Sequence, residues 1–293
     1  MNLASAIDLS ADYAHGITRN AMSVDVEDYF QVSAFDSVFP RSQWSGMPWR
    51  IEQNVDKVLR IFAERGAQAT FFTLGCVAER FPQMIRAIAD GGHEIASHGW
   101  EHHKVFTQTA QEFRDDVVRT RKLLQDLSGQ PVIGYRAASF SVDHRTPWAH
   151  AVLAEAGHTY SSSIYPVAHD HYGVPEAPRG PFRDGEQGIL EIPASTIRRF
   201  GRNWPVAGGG FFRLYPLAAS LWAIGQVNGS DKLPAVFYFH PWELDPDQPR
   251  VSGINRRTRF RHYLNLSRFE SRLGALLNRF SWGRMDKVFG IGS

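Results

Sequence analysis

Two histidines four residues apart, in His98-Gly-Trp-Glu-His102, follow the apolar segment Glu94-Ile95-Ala96-Ser97. Two imidazoles placed together can grip one divalent cation, and a third ligand would leave a position open for water, as in a catalytic site. With 12 histidines in 293 residues, such a pair also arises by chance. Three further segments give it context. Ser23-Val24-Asp25-Val26-Glu27-Asp28 carries three carboxylates in four residues, and Gly134-Tyr135-Arg136 and Phe237-Tyr238-Phe239-His240 each close an apolar, strand-like run. In isolation, each has an ordinary reading. The acids would be a solvated turn, Arg136 a surface ion-pair residue, and His240, before Pro241, a packed loop histidine. Their shared position at strand ends is what the ordinary readings leave unexplained. His93 and His103 fall outside the ligand spacing. His169 and His171 fit a groove or surface role better than a ligand role.

The elements that must position these residues alternate. Strands are expected at Ala21–Asp25, Gln68–Leu74, His93–Ser97, Val132–Tyr135, His158–Ser162, Ile189–Ile192 and Ala235–Phe239. Between them lie helical stretches at Ile51–Arg65, Val77–Asp90, Trp148–Ala156 and Leu217–Val227. A capping box, Thr109-Ala110-Gln111-Glu112, opens another helix that runs through Leu127 and stops at Gly129. Strand–helix alternation predicts a parallel sheet covered by helices, a closed or nearly closed α/β barrel, with chemistry at the carboxyl ends of the strands. Asp25, His98, Arg136 and His240 all fall at that rim. The long segments Gln31–Trp49 and Pro166–Arg183 carry the aromatics Trp44, Trp49, Tyr165 and Tyr172, which would either stack on sugar rings or fill a loop core.

Composition narrows the chemistry. A single cysteine, Cys76, excludes a disulfide framework and a multi-thiolate site, so any metal must use His and carboxylate ligands. No apolar run is long enough to span a bilayer, and Met1–Asn20 lacks the pattern of a secretory leader, so a cytoplasmic protein is the expectation. Net charge is +2, but Arg250–Ser293 holds ten Arg/Lys against two Asp/Glu, +8 in all, leaving −6 elsewhere. This tail includes Arg256-Arg257-Thr258-Arg259-Phe260-Arg261 and a helical stretch from Leu266 to Phe280. Packing on its own domain is the plain reading. Peripheral association with the inner membrane or a polymer-synthesis complex is the sharper one. No nucleic-acid-reading motif accompanies it, and no nucleic-acid partner is expected. The expected divisions are an N-terminal segment, 1–20, a catalytic domain, 21–245, and a basic extension, 246–293.

With these residues in view, the chain resembles the polysaccharide deacetylases, the NodB-homology carbohydrate esterases of family 4, and within them the subfamily of exosortase and exopolysaccharide loci. The resemblance runs from about Ser23 to Leu244. It rests on Ser23-Val24-Asp25-Val26-Glu27-Asp28-Tyr29-Phe30, Ala69-Thr70-Phe71-Phe72, Gly92-His93-Glu94-Ile95-Ala96-Ser97-His98-Gly99-Trp100, Gly134-Tyr135-Arg136 and Tyr238-Phe239-His240-Pro241-Trp242. It implies a distorted (β/α) barrel, one divalent metal ion, most often Zn2+, and removal of N-acetyl groups from an amino-sugar polymer or its precursor. By residue, it implies His98 and His102 as metal ligands, Asp25 as catalytic base, Arg136 as its holder and His240 as general acid. The family's usual first motif has adjacent aspartates, the second a metal ligand; here Val26 follows Asp25. A regular strand puts Asp25 and Glu27 on one face and favours Glu27 as the third ligand, whereas a turn after Val26 favours Asp28. Ala137 and Ala138 stand where a proline is usual near the arginine. Glu191, in Leu190-Glu191-Ile192-Pro193, is the candidate for the acid that tunes His240. Hydrolysis of another non-peptide C–N bond, or sugar binding without turnover, are the alternatives.

Overall fold

The computed structural model describes residues 6–8, 19–170, 172–184 and 188–292. The expectation for His171, and most of that for 1–20, lies outside them. The strands are β1 (Ala6–Asp8), β2 (Asn20–Val26), β3 (Thr70–Thr73), β4 (Glu94–Ser97), β5 (Gly134–Tyr135), β6 (Tyr160–Ser161), β7 (Phe182–Asp184), β8 (Leu190–Glu191), β9 (Thr196–Arg199), β10 (Arg202–Pro205), β11 (Val236–Phe239) and β12 (Trp282–Gly283). The helices are α1 (Ile51–Ala63), α2 (Gly75–Arg80), α3 (Pro82–Asp90), α4 (Ala110–Ser128), α5 (Ala149–Glu155), α6 (Gly209–Leu214), α7 (Leu217–Gly229), α8 (Arg256–Tyr263), α9 (Leu266–Arg279) and α10 (Met285–Val288).

One sheet runs in the order β1-β7-β8-β6-β5-β4-β3-β2-β11, with β12 also paired to β2. From β8 to β11 every pairing is parallel; β7 and β1 add an antiparallel edge. β2, β3 and β4 are buried along their whole length, as expected of parallel strands with both faces covered. The sheet curls without closing in full. Beyond β8 the chain bridges towards β11: the Ser195 hydroxyl accepts from the Val236 amide at 2.7 Å, and the Ser195 amide donates to the Val236 carbonyl at 3.3 Å.

The expected strand–helix alternation is present, with one break. The helix expected over Val77–Asp90 is two, because Pro82 lacks an amide hydrogen and Phe81, at φ −125° and ψ 59°, leaves helical geometry. The capping box at Thr109 forms with both of its hydrogen bonds, and Gly129 ends α4 at φ 67°. The basic extension is woven into the body. Phe269, Leu273, Leu276 and Leu277 of α9 enter the main core, and β12 adds to the sheet. The loop aromatics divide. Trp44 and Tyr165 are buried, the former with Tyr29, Phe30 and Phe35, so they fill loop cores; Trp49 and Tyr172 are only half-covered.

Candidate active site and metal centre

Each site residue sits at or just past the carboxyl end of a parallel strand. Asp25 is near the end of β2, His98 follows β4, Arg136 follows β5, and His240 follows β11. Registry fixes their neighbours: Asp25 aligns with Phe72, and Ser97, one residue before His98, aligns with Tyr135.

Arg136 is fully buried and every arm is used. Nη1 donates to Asp25 Oδ1 at 2.6 Å and to the Ser23 hydroxyl at 2.9 Å. Nε and Nη2 donate to the Ser162 carbonyl and hydroxyl, each at 3.0 Å, and the guanidinium carbon lies 4.0 Å from the Phe72 ring centre. A buried charge held this completely keeps the Asp25 carboxylate aimed. The Arg136 backbone serves too: its carbonyl accepts from His98 Nδ1 at 2.8 Å. That bond leaves His98 Nε2 with its lone pair free, the tautomer a metal ligand needs.

Glu27, His98 and His102 bring one ligand atom each within 4.8 Å of one another, and all three are buried. His102 Nε2 lies 3.1 Å from Glu27 Oε2. Burial lowers the pKa of both imidazoles, with His98 adding to the effect at His102, and so favours the neutral form that binds metal. Burial also pushes Glu27 up to about 7, and its Oε2 has no hydrogen-bond donor among the described residues. A buried carboxylate with one oxygen lacking a donor, beside two neutral imidazoles, is a donor set that fits a divalent cation.

Asp28 does not join them. Its Oδ1 accepts from the Tyr29 amide at 2.8 Å and its Oδ2 from the Arg50 amide at 2.6 Å, securing the start of α1. The third-ligand alternatives therefore separate by geometry, with Glu27 in the cluster and Asp28 in the scaffold. The Glu27 amide donates to the Asp25 carbonyl at 3.0 Å, so the chain turns tightly after β2 yet still delivers Glu27 inward.

His240 Nε2 lies 3.4 Å from Glu27 Oε1, on the same rim. Glu191 does not hold His240. It accepts from the amides of Ser163 and Ile164 at 2.7 and 2.9 Å and pairs with His150 at 3.1 Å, tying β8 to the chain after β6. The partner of His240 is Glu243, three residues on, at 3.0 Å from Nδ1. Glu243 is buried and takes a second bond from Arg213 Nε at 2.7 Å, and Arg213 also donates to the carbonyls of His262 and Leu264. Burial would discharge His240, but Glu27 and Glu243 outweigh it and raise its pKa to about 9. Burial likewise works against charge on Glu243, and Arg213 with His240 brings it down to about 2. Room for this carboxylate comes from Gly209, where a Cβ would stand 2.1 Å from Glu243 Oε1. The i, i+3 spacing His240-Pro241-Trp242-Glu243 is the sequence signal that marks Glu243. Ser162 ends the expected strand His158–Ser162, whereas for Arg213 no local signal exists.

His93 takes no part: its Nδ1 accepts from the Ala69 amide at 3.2 Å. His103 is part-exposed beside Glu101, and His169 stacks on Tyr172. In place of the usual proline wall, Phe140 packs on Tyr165, Tyr172 and Tyr238, with ring centres 5.0–5.9 Å away.

Residues 39–161 match the polysaccharide deacetylase family model, and residues 162–290 match a domain of unknown function, DUF3473. The chain is 28% identical over 113 residues to a peptidoglycan deacetylase of Helicobacter pylori, covering 39% of this chain and 38% of that protein. It is 23% identical over 142 residues to a chitooligosaccharide deacetylase of Sinorhizobium fredii, covering 48% and 60%. The chain thus spans less than two thirds of each of these relatives. In fold it is similar to the crystal structure of a protein assigned as a polysaccharide deacetylase from Mycobacterium smegmatis, with a TM-score of 0.59, 21% identity, and 92% and 88% of the two chains covered. It is also similar to the Xyl-CE4 domain of a multidomain xylanase from a Trinervitermes trinervoides hindgut metagenome, with a TM-score of 0.50, 12% identity, and 94% and 91% covered. Residues 39–161 are thus similar to the polysaccharide deacetylases, and the fold is the curled α/β half-barrel of these structures.

Proposed function

We propose that this protein is a metal-dependent N-deacetylase acting on an amino-sugar polymer or its precursor. The observation that carries the reading is the convergence of Glu27, His98 and His102 on one point, with the Asp25–Arg136 pair and His240 on the same rim. His98, His102 and Glu27 would hold the metal, and a two-histidine, one-carboxylate set suits Zn2+. Such an ion, when bound, polarises the acetyl carbonyl and acidifies water.

The chain's own groups supply the proton movements. Asp25, aimed by Arg136 through Oδ1, takes a proton from the attacking water at its other carboxylate oxygen. His240, held protonated by Glu27 and Glu243, donates from Nε2 to the departing amine. The positive field of buried Arg213 behind Glu243 keeps that carboxylate charged while the imidazolium turns over. The alternating assignment of base and acid to two different strand ends suits an amide, which needs proton removal and proton delivery at separate atoms.

Exopolysaccharide biosynthesis in the cytoplasm, peripheral to the inner membrane, is the setting we propose, on the strength of the motif resemblance. Acetate release from N-acetylglucosamine oligomers is the direct test. It should require metal and collapse in His98→Ala. Release of ammonia or a ring-opened product without acetate would instead indicate another C–N hydrolase, and sugar binding with no turnover would indicate a binding protein.

A further inference from the structure

β9 and β10 form a separate two-stranded ribbon, Thr196–Pro205, joined by the two-residue loop Phe200-Gly201. Both loop residues have positive φ, 51° and 72°. Such a loop favours Asn-Gly, and a bulky side chain at its first position is strained. Phe200 is nevertheless there, and it is 95% exposed, so it gains nothing from its own fold. Arginines flank it on both sides: Arg198, Arg199 and Arg202, with no acid anywhere in the ribbon.

Strand alternation and register place Ile197, Arg199, Arg202 and Trp204 on one face. Ile197 joins the core beside α7, and the Arg199 guanidinium lies 5.5 Å from the Trp222 ring centre of α7. The helix α7 carries no charged residue, although Ala218, Ala219 and Trp222 face solvent, and Leu214 just before it is half-exposed. The result is an exposed face of Trp222 and Trp204 with Phe200 at the ribbon tip, carrying Arg199 and Arg202. The acids near the ribbon lie off this face: Glu176 and Asp231 share a cavity with Arg198 on the opposite side, and Asp231 is already paired with Arg179.

We propose that this face docks on an anionic phospholipid surface, with Phe200 entering the acyl boundary, Trp204 and Trp222 at headgroup depth, and Arg199 and Arg202 on the phosphates. A projecting apolar tip, interfacial tryptophans, an uncharged helix and guanidiniums on a ribbon that has no acid of its own together match a negative lipid interface. The surface lies within the region matching DUF3473, outside the deacetylase match. The inference is independent of the catalytic reading.

The test is co-sedimentation of the full chain with phosphatidylglycerol/phosphatidylcholine vesicles and with phosphatidylcholine alone, following tryptophan emission. Binding to the anionic vesicles alone, weakened by salt and reduced on the order of tenfold or more in Phe200→Ser and in Arg199→Gln/Arg202→Gln, is expected. Arg256→Gln/Arg259→Gln on α8 should leave it unchanged, and all variants should keep wild-type circular dichroism. Failure of the full chain to bind, or binding lost only with the α8 changes, would overturn the proposal. So would a concentration-dependent dimer that Phe200→Ser dissolves, which would make the patch a protein interface.

Discussion

Glu27 and Asp28 are adjacent carboxylates with opposite employment. Glu27 faces His102 with an oxygen that lacks a hydrogen-bond donor, whereas both oxygens of Asp28 accept backbone amides. Glu27→Gln should therefore abolish stoichiometric zinc in the purified protein while leaving the fold intact. Asp28→Asn should retain the metal and lose about 1–3 kcal/mol of stability, the usual cost of weakening charge-assisted bonds to buried donors. Metal analysis and urea denaturation separate the two, and loss of metal in Asp28→Asn alone would reverse the assignment. The same contrast applies to Glu243 and Glu191. Glu243→Gln removes one of the two charges that hold His240 protonated, and kcat should fall by roughly 10²-fold or more with KM and metal content little changed. Glu191→Gln should act on stability instead, since Glu191 secures two backbone amides and His150. The choice of Glu191 from the sequence failed because its position beside an expected strand end says nothing of which way it faces, while the true partner lay three residues from His240.

At the scale of elements, buried His150 and Glu191, with the part-exposed Asp184, fasten α5 to the β7–β8 edge. Burial disfavours the charged imidazole, but the bonds to Asp184 and Glu191 outweigh it, and the His150 pKa rises to about 9. A histidine raised above its unfolded value, ~6.5, contributes stability fully below that value. The contribution is lost as pH rises through about 9. Stability in urea should therefore decline between neutral pH and pH about 9, and His150→Gln should flatten that decline as well as lower the neutral plateau. An unchanged slope in the variant would show that other groups dominate. The strands and helices that position the site were legible because their apolar runs are long and bounded by Gly66, Gly91-Gly92 and Gly129. The β9–β10 ribbon was not, since its basic sequence and unusual Phe-Gly loop carry neither alternation nor a favoured turn.

For the molecule as a whole, the basic tail is structural as well as charged. Four apolar side chains of α9 enter the main core, and β12 pairs with β2, the strand that carries Asp25. At about 1.5–3 kcal/mol for each buried side chain, their loss is comparable with the entire stability of a domain, about 5–15 kcal/mol. Truncation after Arg250 should give protein without a cooperative unfolding transition. A soluble, cooperatively folding and active 1–250 fragment would contradict this. A charge count could suggest that the tail was an appendage, but the spacing of Phe269, Leu273, Leu276 and Leu277 along one helix face reports its packing. The order of Asp25, the histidine pair, Arg136 and His240 along the chain was readable because each residue ends a strand. Arg213 was not, because only the folded chain brings it against Glu243.

The central claim is that Glu27, His98 and His102 form one metal site that drives deacetylation. Metal content and acetate release from N-acetylglucosamine oligomers, measured together on wild type and His98→Ala, test it most directly. About one zinc per chain with turnover is expected in the wild type, and loss of both in the variant. Full acetate release by metal-free protein, or by His98→Ala, would contradict it.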